Sequence, residues 1–284
     1  MTGKQWQTMY TAARTCYSAK TPEDIFHESE IRRLTEENED KEHKLVGQVL
    51  GSGHSSIAEH ICFTFAISGI SRACSHQLVR HRAGIVFSQQ SQRYVEIKEN
   101  VNTIQNMIAF PASSKELAMT LLSKYFVDVN DNNYLIYLKC LQNYLSQTEI
   151  GVKAEDARNV LPNATKTNIT VTVNLRELIH ISNLRLCTRA QKEIRTLFNL
   201  IKKEVTAFDK DLGDMLVPSC VANHGICFEH KCCGRCPHID EVMAVYNAFK
   251  DDFISKEDYE KLVVKNPKVN EKLKALLEMP NVLE

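Results

Sequence analysis

No run of about 18 apolar residues occurs anywhere in this chain of 284, so a helix that crosses a bilayer is not expected. The opening residues, Met1-Thr-Gly-Lys-Gln-Trp6, lack the apolar stretch of a signal peptide. Together these absences predict a cytoplasmic protein with no membrane partner. Glycine and proline are sparse at 10 and 7 residues, far too few for a collagen or mucin. Net charge is lacking as well, because 35 Lys and Arg balance 35 Asp and Glu. Low-complexity disorder wants few apolar residues and a large net charge, whereas 43% of this chain is hydrophobic. Broad nucleic-acid binding wants a basic surface, so any anion recognition must be local.

What is present is a globular pattern of mixed type. A length of this order allows two average domains or one large one, and lets roughly three quarters of the unfolded surface be buried. Helical spacing is expected over 5–17, 28–38 and 42–50, the last closed by Gly51 and Gly53. A β-rich apolar run over 61–67 reads as a strand ended by Ser68-Gly69, and 70–82 as a helix, with Gly84 interrupting the segment after it. Helices are expected over 111–130, 133–145, 175–184 and 190–208, and an alternating Thr/Val strand over 167–173. The segment 240–284 is charged and helical in pattern, and no internal repeat is visible. The fold class is therefore α+β. Cys16, Cys62, Cys74, Cys140 and Cys187 occur singly and are expected as small buried hydrophobes rather than disulfides.

The chemistry concentrates in 71–94. This stretch holds Arg72, Arg80, Arg82 and Arg93 with His76 and His81, and no lysine or acid. Arginine in place of lysine favours planar, bidentate contact with phosphate or a heterocycle edge. A helix over 70–82 would put Arg72, His76 and Arg80 on one face and Gln77 and His81 on an adjacent row, suited to a phosphorylated ligand. The uncharged run Ser88-Gln89-Gln90-Ser91-Gln92 can both donate and accept hydrogen bonds to a base or sugar. A second group, Asn174, Arg176, His180 and Arg185, interrupts an apolar pattern at a strand-to-helix junction, where a ligand can meet a helix start. In a third, Gly53-His54-Ser-Ser56-Ile-Ala-Glu59-His60, the His and Glu spacing matches no helical metal motif, and Ser56 is the better ligand contact.

Taken in order, these segments resemble the flavin-dependent thymidylate synthases, the ThyX family. The resemblance rests on Ala12-Ala-Arg-Thr-Cys-Tyr17, Gly53-His54, Arg80-His81-Arg82, Ser91-x-Arg93-Tyr94, Ala157-Arg158 with Leu161-Pro162, and the blocks around Asn174, Arg185 and Gln191. It implies a ThyX-type fold, a central mixed or antiparallel sheet flanked by helices, as a catalytic domain over 1–215. A Cys-rich segment and helical extension would follow over 216–284. It further implies a homotetramer with FAD and dUMP between subunits, and reductive methylation of dUMP to dTMP. Methylenetetrahydrofolate would supply the carbon and NADPH the reducing equivalents. By motif, Ser56, Arg80, His81, Arg82, Gln89, Asn174, Arg176 and His180 would contact FAD. Gln77, Arg80, Gln89, Gln90, Ser91, Gln92, Arg93, Arg158 and Arg185 would hold the nucleotide, with Arg185 the catalytic arginine that stabilises charge on the ring.

The chain departs from the family pattern at three places. Eight residues rather than seven separate Arg82 from Ser91, so one must bulge near Gly84 or shift the loop by about 3.5 Å. Gln89 and Ser88 stand where a Glu and an Asn are common, and His180 replaces an amide. These departures leave open a flavin-dependent paralogue that methylates or hydroxymethylates another pyrimidine nucleotide. A nucleic-acid-binding module, with a zinc-holding tail, is the alternative from a different class, and the zero net charge weighs against it. In the tail, Cys220, Cys227, Cys232, Cys233 and Cys236 crowd into 17 residues. Cys233-x-x-Cys236 has zinc-knuckle spacing, and Cys220 with Cys227 could complete four ligands. The alternative is free or redox-active thiols.

Overall fold

The computed structural model describes residues 4–33 and 39–250. Two compact units divide the chain, Gly3–Glu177 and Leu178–Glu284. The expected helix residues 34–38 and the extension past 250 lie outside the described residues.

The first unit opens with α1 (Lys4–Thr15), α2 (Pro22–Arg33) and α3 (Glu39–Gly51). Helix α2 starts earlier than the pattern over 28–38 suggests. Thr21 Oγ1 accepts from the Asp24 amide at 3.2 Å and donates to the Asp24 carboxylate at 2.7 Å, and Pro22 occupies the first turn. Trp6 of α1 stacks on His43 of α3 with ring centroids 3.9 Å apart. The buried hydroxyl of Ser29 donates to the buried carboxylate of Glu42, which ties α2 to α3.

A 3₁₀ turn (Ser55–His60) leads into β1 (Cys62–Ser71), then α4 (Arg72–Leu78) and β2 (Ile85–Gln89). After the helices α5 (Val101–Ala109), α6 (Pro111–Tyr125), α7 (Tyr134–Glu149) and the short α8 (Ala154–Ala157) comes β3 (Lys166–Asn174). The sheet order is β1-β3-β2, antiparallel throughout. Phe63, Phe65, Val171, Val173 and Ile85 share one face, while Thr64, Ala66, Thr170, Thr172 and Val86 share the other. That second face is largely exposed, and Thr64 and Thr172 hydrogen-bond across it at 2.9 Å.

Several expectations are corrected here. Ser68-Gly69 does not end β1 but sits at a bulge between Ile67 and Ile70, with Gly69 at φ +75°. The helix expected over 70–82 is only Arg72–Leu78, because Ser71 is still strand and caps it by accepting from the Cys74 amide. Arg80 therefore lies beyond the helix, and the expected Arg72, His76, Arg80 face does not form. Among the five isolated cysteines only Cys74 is buried; Cys62 sits on the outward face of β1, and Cys16 lies past the end of α1.

Helices α5 to α7 enclose their own apolar cluster, with Ile104, Leu122, Phe126, Leu138, Leu141 and Tyr144 all at 1% exposure or less. This cluster is the base on which β3 begins, since Val127 donates to the Ala164 carbonyl at 2.9 Å and Phe126 pairs with Thr165. Helix α9 (Leu175–Arg185) runs straight on from β3 and carries the chain into the second unit. There the amphipathic α10 (Lys192–Phe208) buries Ile194, Leu197, Phe198, Ile201 and Val205 at helical spacing. The shorter α11 (Lys210–Asp214), α12 (Ser219–Ala222) and α13 (Ile239–Lys250) follow.

Candidate active site

Antiparallel register sorts the candidate residues of the first unit to opposite ends of the sheet. Asn174, at the end of β3, stands beside Cys62 at the start of β1, and its amide donates to Gly84 just before β2. This end gathers the 3₁₀ turn with Ser56 and Glu59, the Arg80-His81-Arg82 triplet, Asn174 and Arg176. At the other end Gln89 pairs with Ile169, so the Gln90–Arg93 run leaves beside the start of β3. Arg72 joins that end because its amide bonds the Thr165 carbonyl at 2.9 Å. The five residues of β2 hold the two groups about 15 Å apart.

At the triplet end, Arg80 and Arg82 are exposed and neither pairs with a carboxylate among the described residues. His81 is sheltered between them, with Nδ1 3.8 Å from the Glu177 carboxylate. Arg176 pairs with Glu59, so a carboxylate of the kind that could suit a metal fixes an arginine instead. Among the described residues no three His, Cys, Asp or Glu side chains gather closely enough to hold a metal as they stand. Asn174 has a structural task as well, since its Oδ1 accepts from the Glu177 amide at 2.8 Å and caps α9. Its Nδ2 lies where a Cβ on Gly84 would sit, at 2.2 Å. Two exposed guanidiniums beside polar Asn174 and Ser56 form a donor set that fits a dinucleotide's diphosphate. The residues present are therefore compatible with FAD.

At the opposite end, positive charge is crowded. Arg93 pairs with Glu155 through Nε at 2.9 Å and Nη2 at 2.8 Å, and lies over the Tyr94 ring at 5.5 Å. Arg158 Nε donates to the Glu155 carbonyl at 3.0 Å. Burial, reinforced by the nearby Arg158 charge, pulls the half-buried Arg72 below the ordinary arginine range. Of these three guanidiniums only Arg93 has a carboxylate partner among the described residues, which leaves capacity for an anionic group. Gln90, Ser91 and Gln92 line a cleft of about 500 Å³ together with Lys98, Lys124 and Lys166. Gln89 points elsewhere: its amide donates to Ser75 Oγ at 2.9 Å and Thr167 Oγ1 at 3.2 Å, bracing α4 against the sheet. Neither the cleft nor the Arg72–Arg158 proximity was visible in the sequence, because both depend on Lys124, Lys166 and Thr165 being brought in by β3 and α6.

The remaining candidates sit apart from these groups. Gln77 is half-buried on α4, and His180 and Arg185 lie along α9 within the second unit. His180 follows Arg176 by one helical turn, whereas Arg185 is nine residues on and points to the opposite side of the helix. β2 keeps regular register over all five residues, so the extra residue before Ser91 makes no bulge in the strand. The chain reverses at Gly84, φ +65°, instead. In the tail, burial, with the neighbouring Cys236 thiol adding to it, pushes the Cys220 thiol up to about 11. Cys233 is exposed, and the neighbouring Thr188 side chain and Arg235 backbone draw its thiol below the usual range.

Comparison with known proteins adds an independent view. The family model described as "Thymidylate synthase complementing protein" matches residues 1–209. A protein from Geobacter sulfurreducens named flavin-dependent thymidylate synthase is 35% identical over 216 residues, covering 74% of this chain and 81% of its own length. One of the same name from Clostridium tetani is 36% identical over 242 residues, covering 82% and 90%. The solved structure of Helicobacter pylori ThyX with FAD and dUMP superposes with a TM-score of 0.55 at 23% identity, covering 74% of this chain and 94% of that one, a likeness of fold.

Proposed function

The chain belongs to the flavin-dependent thymidylate synthase family, and from that premise we propose that it methylates dUMP to dTMP with FAD as cofactor, methylenetetrahydrofolate as carbon donor and NADPH as reductant. The observation that carries the reading is the division of the basic residues between the two ends of the sheet. One end offers guanidiniums without carboxylate partners for a diphosphate, and the other an arginine cluster beside an amide-lined cleft for a nucleoside monophosphate. When bound, the flavin supplies the hydride chemistry, so the protein's own task is binding, orientation and charge stabilisation.

In this reading Arg80, His81 and Arg82 hold the cofactor's diphosphate, with Ser56 beside them, while Glu177 orients the imidazole. Arg176 is positioned by Glu59, and His180 extends the same helix face. The nucleotide phosphate sits against Arg93 and Arg158, with Arg72 adding charge behind them, and Gln90, Ser91 and Gln92 bond the sugar and base. Gln77 and Gln89 belong to the expected nucleotide set, and the bonds from Gln89 to Ser75 and Thr167 make it a support of that pocket. Arg185 would press its guanidinium on the uracil and stabilise negative charge as the ring ionises. The two groups lie at opposite ends of one sheet, about 15 Å apart, so each can face a different neighbouring copy. This supports assembly as a homotetramer in which each site takes its two halves from different copies.

The test is anaerobic. FAD-loaded protein is mixed with NADPH, and flavin absorbance is followed with and without dUMP, then dTMP is measured after addition of methylenetetrahydrofolate. Bleaching that accelerates with dUMP and yields dTMP is the expected outcome. Bleaching insensitive to dUMP, or dCMP binding as tightly, would transfer the assignment to a paralogue with another pyrimidine nucleotide.

A further inference from the structure

Between β2 and α5 the chain runs from Ser91 to Asn100 with one turn and no regular element. Its two ends are well anchored. The Gln90 amide donates to the Asn168 carbonyl at 2.8 Å, and the Asn168 side-chain amide donates back to Gln90 Oε1 at 3.1 Å. The turn closes where the Val95 amide meets the Ser91 carbonyl at 3.0 Å, and Asn100 caps α5 by accepting from the Thr103 amide at 3.2 Å. Between these anchors Val95, Glu96, Ile97 and Lys98 form one wall of the 500 Å³ cleft. From Glu96 to Glu99 no backbone–backbone hydrogen bond holds this strap among the described residues.

Two phenols hold it instead. The Ile97 amide donates to the hydroxyl oxygen of Tyr144 at 3.3 Å. Tyr144 belongs to α7 and is 1% exposed within the apolar cluster of α5 to α7, against which the Ile97 side chain also packs. Two residues on, the Tyr125 hydroxyl of α6 donates to the Glu99 carboxylate at 2.5 Å, with the Lys124 ammonium 3.8 Å from the same carboxylate. Burial, then the hydrogen bond and charge of Glu99, push the Tyr125 phenol well above its ordinary range, so it remains a donor throughout the physiological range. The rings of both tyrosines pack with the cluster, whereas the bonded partner of each hydroxyl lies on the strap.

We infer that Tyr125 and Tyr144 are positioning residues for the nucleotide: their hydroxyls latch residues 97–99 onto α6 and α7 and thereby hold the Gln90–Arg93 run in place for its ligand. The inference rests on the nucleotide reading given above. The lever is short, since Ile97 follows Arg93 by four residues, at most about 14 Å of extended chain. With the latch open, the segment from Ser91 to Asn100 keeps its anchored ends but samples other arrangements. A nucleotide then binds only the fraction that presents Ser91, Gln92 and Arg93 together, and its apparent dissociation constant rises by the inverse of that fraction. The Arg80-His81-Arg82 triplet is at the opposite end of the sheet, so flavin affinity is not affected.

The test compares FAD-loaded full-length wild type with Tyr125→Phe, Tyr144→Phe and the double variant, in which phenylalanine keeps each ring in the cluster. Deuterium exchange is read first, without nucleotide. The peptide over 95–100 should exchange slowly in wild type and about tenfold faster in the double variant. Each single variant should then bind dUMP about three- to tenfold more weakly, with KM for dUMP raised, kcat retained and FAD affinity unchanged. Glu99→Gln, whose amide oxygen still accepts from Tyr125, should stay near wild type, and Glu99→Ala should match Tyr125→Phe. Should Tyr144→Phe fail to fold, Tyr125→Phe and Glu99→Ala carry the same test. Variants that exchange as slowly and bind dUMP as tightly as wild type would overturn the inference. Parallel loss of FAD and dUMP affinity, or a lower kcat at unchanged KM, would overturn it as well, by making the hydroxyls general supports of the fold. A wild type whose strap is protected but which binds no dUMP would instead remove the nucleotide reading, and the positioning role with it.

Discussion

Single side chains decide how much charge each end of the sheet offers a ligand. Arg93 is engaged by Glu155, whose carboxyl is held below the usual carboxylate range by the hydrogen bond and charge of that guanidinium. Because its folded pKa is lowered, the pair is intact above the ordinary carboxylate value and is lost only as pH falls through the depressed one. If Arg93 holds the nucleotide phosphate as proposed, Glu155 would compete with it at neutral pH. Glu155→Gln should tighten dUMP binding several-fold at pH 7, measured by titration of the flavin complex; unchanged or weaker binding would mean that the carboxylate aims Arg93 instead. The basic residue types around this site were legible in the sequence. Their partners were not, since Glu155 is 62 positions from Arg93 and Glu59 is 117 from Arg176. For the same reason Gln89 and Asn174 read as ligand contacts, while each also has a hydrogen-bonding task inside the fold.

Among the elements, the turn between α4 and β2 matters most, because it sets where Arg80, His81 and Arg82 emerge. Gly84 takes φ +65° there and packs against Asn174, which caps the helix carrying Arg176. Gly84→Ala meets both a left-handed backbone and a collision at 2.2 Å, so it should destabilise the fold by about 1–3 kcal/mol, read by chemical denaturation. FAD binding should weaken with it. A variant of wild-type stability would show that the turn carries no constraint. Long elements with a clear period, such as β3, α9 and α10, are legible from their side chains alone. Helix α4 is shorter than its pattern because Ser71 serves as the last strand residue and as a cap, a choice made by pairing with Lys166 rather than by local propensity. β2 escapes a reading of the sequence because Ile85-Val-Phe-Ser-Gln89 is short and becomes a strand only against β3.

For the whole molecule, the central claim is that the triplet end and the arginine-cluster end are two halves of one site supplied by different copies. The α+β class could be read from the sequence, but this separation could not, since it follows from the antiparallel register that places Gly84 and Gln89 at opposite ends of β3. Complementation tests it directly. Arg82→Ala and Arg158→Ala each disable one half, and each protein alone should be inactive. Co-expressed in equal amounts, they form mixed assemblies in which about one quarter of the sites draw both intact halves, by random assortment in a closed symmetric oligomer. Recovery of about a quarter of wild-type dTMP formation is the predicted result. Recovery indistinguishable from zero, with mixed assemblies present, would place both halves on one chain and contradict the account.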